Sequence, residues 1–462
     1  MEKPKKLITE INFFETCEKK LIVHLPILGY AFIEEHNSIE LLSKLKNGNS
    51  LSADELENTL VKKLLSINAI GVENRLIPTT KPLDKFRPIE GTLLLTESCN
   101  LGCTYCYASS INSKTSPMTI DIAECIVDEV IKNARDTGKV AQFRYIGGGE
   151  PTMEWELITY ITEYIKNEAH KNKVPYYIRL ITNGTLLNDN RVRWISENIQ
   201  FVTLSFDILP SIQNHNRPFK NGHGSQNKLI KTIKLLGSYE VPFHLRATIS
   251  SEGSNRLVEM VNYVNRHLPE VKIIRFEPMA EIGRAISDVY QINSLIPSDK
   301  RNNDTRLNKP VEQQFVDSFI KAYHLGKKLG IHVTCKMMTN HLRRSTRFCN
   351  AEFSVAPDGH VAACHRYSRK ENTGYDLFSI GYFNGKKFIF DIDKINQIRQ
   401  IDNDSFEDCK QCFARWSCSS GCLSARVNDT GIQKTGPLCH LTRELLKFSI
   451  QQSLINRENY YA

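Results

Sequence analysis

The sequence predicts an α/β protein: a partial (β/α)6 barrel with a small N-terminal module and a cysteine-rich C-terminal domain. Three observations predict it. From Gly91 onward, six short apolar runs alternate with amphipathic helical patterns. Eight of the 13 cysteines fall between residues 335 and 439. Residues 1 to 85 differ in texture from the rest of the chain and lead into "PTTKPLDKFRP", whose three prolines mark a linker.

The N-terminal segment reads as a β-hairpin, a helix, a Ser-led second helix and a last helix stopped by Gly71. Ser52 has Glu55 three positions on, the pattern of a capping box. The barrel strands are "GTLLLTE", "QFRYIGG", "YYIRLITN", "FVTLSFD", "FHLRATIS" and "VKIIRFEPM". Helical patterns such as "TIDIAECIVDEVIKNARDTG" and "NRLVEMVNYVNRHL" lie between them, with apolar residues spaced by three and four. Strand–helix repeats of this kind imply a parallel sheet with right-handed crossovers. Function in such a sheet collects at the C-terminal ends of the strands. The expected division is 1–85 for the N-terminal module, 90–310 for the barrel and 311–462 for the C-terminal domain. "SVAPDGHVAAC" is a hairpin around a Pro-Asp-Gly turn, bringing Cys349 towards Cys364. "TRELLKFSIQQSLI" is an amphipathic helix that packs back on the body.

The chain has 462 residues, 41% of them hydrophobic and 24% charged, as in ordinary globular proteins. No run of eighteen apolar residues predicts a membrane span, and no secretory signal is visible. A cytoplasmic protein is expected, and its clustered cysteines then read as metal or cluster ligands rather than disulfides. The basic residues behind the net charge of +9 are dispersed, which speaks against a nucleic-acid or membrane partner.

"TESCNLGCTYCYA" places Cys99, Cys103 and Cys106 in one loop after the first strand. A [4Fe–4S] cluster normally takes one thiolate per iron. Three thiolates leave one iron open, as catalytic metal sites keep an open position. The competing readings are a group of buried cysteines and a zinc site lacking one ligand. In the second field, Cys409 and Cys412 have the spacing of a zinc knuckle, which would be the default for them in isolation.

Taken together, "CNLGCTYC", "GGGEP" (147–151), "TNG" (182–184), "SFD" (205–207) and "HNRP" (215–218) closely resemble the radical S-adenosylmethionine (SAM) enzymes. The resemblance covers about residues 90 to 280. It implies that the open iron is chelated by the amino and carboxylate groups of SAM. Reductive cleavage then releases a 5′-deoxyadenosyl radical that abstracts hydrogen from a substrate. It further implies that Gly147, Gly148 and Gly149 let backbone approach the methionine moiety and that Glu150 accepts a hydrogen bond from its ammonium. Tyr105 is placed by the adenine, Ser205 near the ribose and Arg217 near the carboxylate, with Asn183 in a further cofactor-contact motif. Ile208 stands where many relatives carry glycine.

The C-terminal cysteine string resembles the SPASM domain of these enzymes, which carries auxiliary [4Fe–4S] clusters. Carried over, that resemblance gives one cluster to Cys409, Cys412, Cys418 and Cys439. The other takes Cys349, Cys364 and Cys422, with Cys335 as candidate fourth ligand, so three clusters are expected. The N-terminal module resembles small winged-helix modules that hold leader peptides; the alternative is an extension covering the barrel. The implied function is maturation of a ribosomally made precursor peptide by a radical-installed crosslink, as in antibiotic biosynthesis, with flavodoxin or ferredoxin as reductant. The chief alternative is an anaerobic sulfatase maturase forming formylglycine. That family places an aspartate where this chain has His365, leaving His365 as candidate base. A non-catalytic iron–sulfur carrier or a zinc module is the reading from another class.

Overall fold

The computed structural model describes residues 6–7, 9–15, 19–71, 81–108, 116–279, 311–338, 344–428, 431–434, 436 and 438–461. Cys17, the Asn-rich stretch and the segment after "RFEPM" lie outside them.

The six expected barrel strands form at Glu90–Leu94, Ala141–Ile146, Tyr176–Thr182, Phe201–Ser205, Phe243–Ile249 and Ile273–Pro278. They pair in sequence order and all in parallel. The alternation that predicted them has a physical reading in the third strand. Ile178 and Leu180 are buried in the core under the helices, whereas Arg179 and Ile181 line the interior cavity. Helices Ile120–Thr137 and Trp155–Asn172 close the outer layer, and residues such as Ile126, Val130, Ile161 and Ile165 are fully buried there. Each such side chain contributes about 1.5–3 kcal/mol of transfer free energy.

The sheet does not close on itself. Helix Val311–Leu329 leads into a strand, His332–Thr334, that pairs in parallel with the sixth barrel strand. On the other edge, Phe353–Val355 pairs in parallel with the first barrel strand and opens the expected hairpin with His360–Ala362. Gly359 supplies the positive φ (+85°) of its turn. Two further antiparallel strands, Ser379–Phe383 and Phe388–Phe390, complete an 11-stranded sheet. The cysteine-rich region is therefore continuous with the barrel sheet.

The N-terminal module differs from the sequence expectation in two respects. It has three antiparallel strands, Asn12–Glu15, Leu21–Leu25 and Tyr30–Glu34, where a hairpin was expected. The first strand is only four residues long, too short for alternation to declare it. Its last helix, Thr59–Ser66, ends before Gly71; Asn68 takes the left-handed conformation (φ +54°), and Ile70–Gly71 pairs with Lys6–Leu7. The capping box is present, with the Glu55 amide donating to Ser52 Oγ at 3.3 Å and the Ser52 amide to Glu55 Oε2 at 2.7 Å.

The middle strand is buried on both faces. Leu21, Val23 and Leu25 meet the module's own helices through Leu42, Leu45, Leu60 and Leu64. Ile22 points the other way and packs on Leu446, Ile450 and Leu454 of the C-terminal helix, Cys439–Tyr461. Trp416 Nε1 donates to Glu10 Oε2 at 2.5 Å, and Arg415 lies 3.4 Å from Glu10 Oε1. The module is thus docked beside Cys409–Cys418, on the C-terminal domain.

Candidate functional site: a cavity between two cysteine fields

The loops after the first two barrel strands are strapped together by backbone. The Gly149 amide donates to Thr96 O at 3.0 Å and the Glu150 amide to Ser98 O at 2.8 Å. This pairing explains two of the three glycines. A Cβ on Gly149 would lie 1.9 Å from Ser98 O, and one on Gly147 would lie 1.9 Å from Gly149 O. Around Gly148 the nearest atom would be 3.7 Å away. Gly147 and Gly149 therefore make room for the chain itself.

Glu150 is 2% exposed and ties the second loop to the third. Its Oε1 accepts from the Thr152 amide (3.1 Å), Thr152 Oγ1 (2.6 Å) and Thr182 Oγ1 (2.5 Å). Its Oε2 accepts from the Asn183 amide at 2.7 Å and keeps acceptor capacity. Burial pushes the carboxyl up; these hydrogen bonds work to hold it ionised. Asn183 Nδ2 in turn lies 3.8 Å from Cys99 Sγ and donates to Asn100 Oδ1 at 3.0 Å.

A second network joins the cysteine loop to the fourth strand. Tyr105 OH donates to Asp207 Oδ2 at 2.7 Å and accepts from Arg217 Nη1 at 2.8 Å. Asp207 Oδ1 accepts from the Thr248 amide at 3.0 Å. Burial pushes the Asp207 carboxyl up, and Arg217 opposes that rise. Asp207 belongs to the "SFD" motif, but nothing in the spacing of that motif signals that it anchors Tyr105, which in turn holds Arg217. Replacing it with alanine leaves the Tyr105 hydroxyl and the Thr248 amide without their acceptor. Asp207→Ala should cost about 1–3 kcal/mol for each donor left unsatisfied, read as a lowered midpoint in denaturant unfolding. The next residue, Ile208, is fully buried at φ +69°. A β-branched residue there carries strain of about 1–2 kcal/mol. The backbone keeps the conformation that suits glycine, while the isoleucine side chain joins the core.

Tyr105, Glu150, Asn183 and Arg217 line one cavity of 530 Å³. Cys99, Cys103, Cys106, Glu150, Ser205 and Arg217 stand at one end, and Cys418, Cys422 and Cys439 also border it. In the second field, Cys418 has Cys439, Cys412 and Cys409 as charge neighbours. The buried Arg426 lies 3.7 Å from Cys409 Sγ and 3.9 Å from Cys439 Sγ. Nothing in the cysteine spacing announced this arginine. Cys349 and Cys364 are neighbours of Cys422 and Glu352. Cys335 is fully buried, and its charge neighbours include Glu277 and Arg275. Cys125 is partly buried on its helix, against the core. His365 Nδ1 lies 3.1 Å from Glu352 Oε2, and its ring meets Tyr107 edge-on at 6.0 Å.

The donor sets suit multinuclear clusters better than single ions. Tetrahedral zinc would hold four thiolates about 3.8 Å apart. Among the described residues, only Glu352, Cys364 and His365 bring three such ligand atoms within 4.8 Å of one another. Burial pushes Cys99 and Cys418 up to about 12, so their thiolates need a cationic partner such as iron. Arg217 Nε is buried without a hydrogen-bond partner beside the cysteine loop, a donor positioned for an anionic group such as the cofactor's carboxylate.

Residues 93–264 match the family model of the radical SAM superfamily. A cysteine-type anaerobic sulfatase-maturating enzyme of Clostridium novyi is 25% identical over 347 residues, covering 70% of this chain and 85% of its own. The structure of native anSMEcpe with bound AdoMet aligns with a TM-score of 0.62 at 22% identity, over 81% of this chain and 100% of that one. Streptococcus suis SuiB bound to precursor peptide SuiA aligns with a TM-score of 0.51 at 13% identity, over 95% and 100%. Membership implies a [4Fe–4S] cluster and SAM. Residues 93–264 are a radical SAM domain, so the chain is an enzyme built on that domain, and a cysteine-rich C-terminal region follows it.

Proposed function

We propose that this enzyme matures a ribosomally made precursor peptide by installing a C–C, ether or thioether crosslink. The observation that carries the reading is the single cavity bordered by both cysteine fields. A substrate there meets the hydrogen-abstracting end and the auxiliary end together. When bound to Cys99, Cys103 and Cys106, the open cluster and SAM supply the 5′-deoxyadenosyl radical. Glu150 holds the cofactor ammonium through Oε2, and Tyr105, Asn183, Ser205 and Arg217 orient its remaining groups. Gly148, whose Cα carries the least crowded Cβ position of the three, faces the same cavity.

Cys409, Cys412, Cys418 and Cys439 hold one auxiliary cluster, and Cys349, Cys364 and Cys422 hold another, for three in all. Cys335 is the candidate for the remaining ligand. His365 with Nδ1–H on Glu352 presents Nε2 as the proton acceptor. The N-terminal module, three strands followed by three helices, holds the leader peptide beside the auxiliary region. The domains are 1–85, 90–310 and 311–462, and the setting is the cytoplasm with flavodoxin or ferredoxin as reductant. Among the described residues, no helix is long and apolar enough to cross a membrane.

The second reading, formylglycine formation in a sulfatase, is favoured by the Clostridium relative. Mass spectrometry of any small peptide encoded beside this gene, coexpressed with wild type and with Cys103→Ala, tests the first reading. The expected product has lost two hydrogens per crosslink and does not react with a hydrazide. Hydrazide labelling marks an aldehyde and supports the second reading, with a loss of two hydrogens at a serine, or that loss together with replacement of sulfur by oxygen from water at a cysteine. An unchanged peptide overturns the first.

A further inference from the structure

We propose that the floor of the barrel cavity is a carboxylate-binding subsite that anchors an acidic group of the substrate. Four cationic or imidazole side chains converge there from three strands: Arg179, His244, Arg246 and Arg275. Arg246 and Arg275 are register partners on neighbouring strands, and His244 precedes Arg246 on the same inward face. Arg275 is ion-paired with Glu277. Among the described residues, no carboxylate lies within ion-pair distance of Arg179 or Arg246. Arg179 Nε and His244 Nε2 are buried without hydrogen-bond partners.

The guanidiniums surround one spot. Burial pushes His244 down to about 4, and Arg275, Arg246 and Arg179 each push in the same direction. Burial likewise works against the charge on Arg246. Arg246 has Glu277 as a neighbouring opposite charge but no carboxylate in contact, so a bound anion gains charge-assisted hydrogen bonds from guanidiniums that lack an ion-pair partner. The anion is distinct from the cofactor's carboxylate. Thr182 and Asn183, at the end of the third strand, reach Glu150, whereas Arg179 lies three residues, about 10 Å, deeper. A peptide offers a carboxylate from an Asp or Glu side chain or from its C-terminus. Anchored at the floor, it would hold the neighbouring residue up towards the cysteine loop.

The proposal rests on the peptide-substrate reading, so its test is independent of turnover. Thermal unfolding of the anaerobically reconstituted holoenzyme is followed at constant ionic strength with three probes. N-acetylglutamic acid α-amide carries a side-chain carboxylate, N-acetylglycine a terminal one and N-acetylglycinamide none. Saturable stabilisation by a carboxylate and not by the amide is expected, and the tighter probe identifies the source. Arg179→Met should weaken that binding roughly tenfold or more, while Arg179→Lys should stay within about threefold of wild type. If Arg179→Met fails to fold, Arg246→Gln gives the same readout. Equal stabilisation by all three probes, or wild-type binding in the charge-removing variant, overturns the subsite. Crosslinking without carboxylate binding refutes the anchor alone; carboxylate binding without crosslinking refutes the maturase reading alone.

Discussion

Cys103→Ala should lower dithionite-driven 5′-deoxyadenosine formation by at least about a thousandfold, to background. The loop has three thiolates for a cluster that takes one per iron, so two cannot retain it. Iron should fall by one cluster, about four per chain, with the auxiliary iron unchanged. Cys125→Ala is the control. That cysteine sits partly buried on helix Ile120–Thr137, its Sγ 3.9 Å from Lys386 O, away from both cysteine fields. It should leave iron content and cleavage at wild-type levels. Residual cleavage in Cys103→Ala above a few per cent would exclude this loop as the radical site.

Gly149→Ala should be nearly as damaging, for a different reason. The new Cβ would lie 1.9 Å from Ser98 O, and both strands of that contact are backbone held by the 3.0 and 2.8 Å hydrogen bonds. No rotamer relieves it, so the loop before Cys99 must move. A loss of about 3 kcal/mol or more is expected, with loss of iron on reconstitution. Gly148→Ala, whose Cβ finds only ordinary contacts at 3.7 to 4.0 Å, should stay within about 1 kcal/mol of wild type and keep its iron. Denaturant unfolding and iron assay of the pair decide the matter. Equal behaviour of the two variants would mean that the loop is not strapped as described.

Much of the site was legible because its chemistry is local in sequence. Cys99, Cys103 and Cys106 fall within eight residues, and a thiolate's role follows from residue type and spacing. The barrel strands were legible because alternation reports directly which face is buried, as in Ile178 and Leu180 against Arg179 and Ile181. Four-residue Asn12–Glu15 was not, because so short a run carries no period. Glu352 and Arg426 were missed for another reason: each acquires its role from a partner that only folding supplies. Glu352 meets His365 across the hairpin, 13 residues away, and Arg426 reaches Cys409 and Cys439.

By itself, the sequence determined the three-cysteine cluster, the barrel order and the chemical class, since these depend on residue type and period along the chain. Tertiary structure decided why Gly149 must be glycine and that Tyr105 joins Asp207 to Arg217. It also decided that three arginines from different strands gather around His244. The reason is geometric. Inward-facing residues on neighbouring barrel strands are separated by a whole helix in sequence, and only the parallel register brings their charges into one cavity.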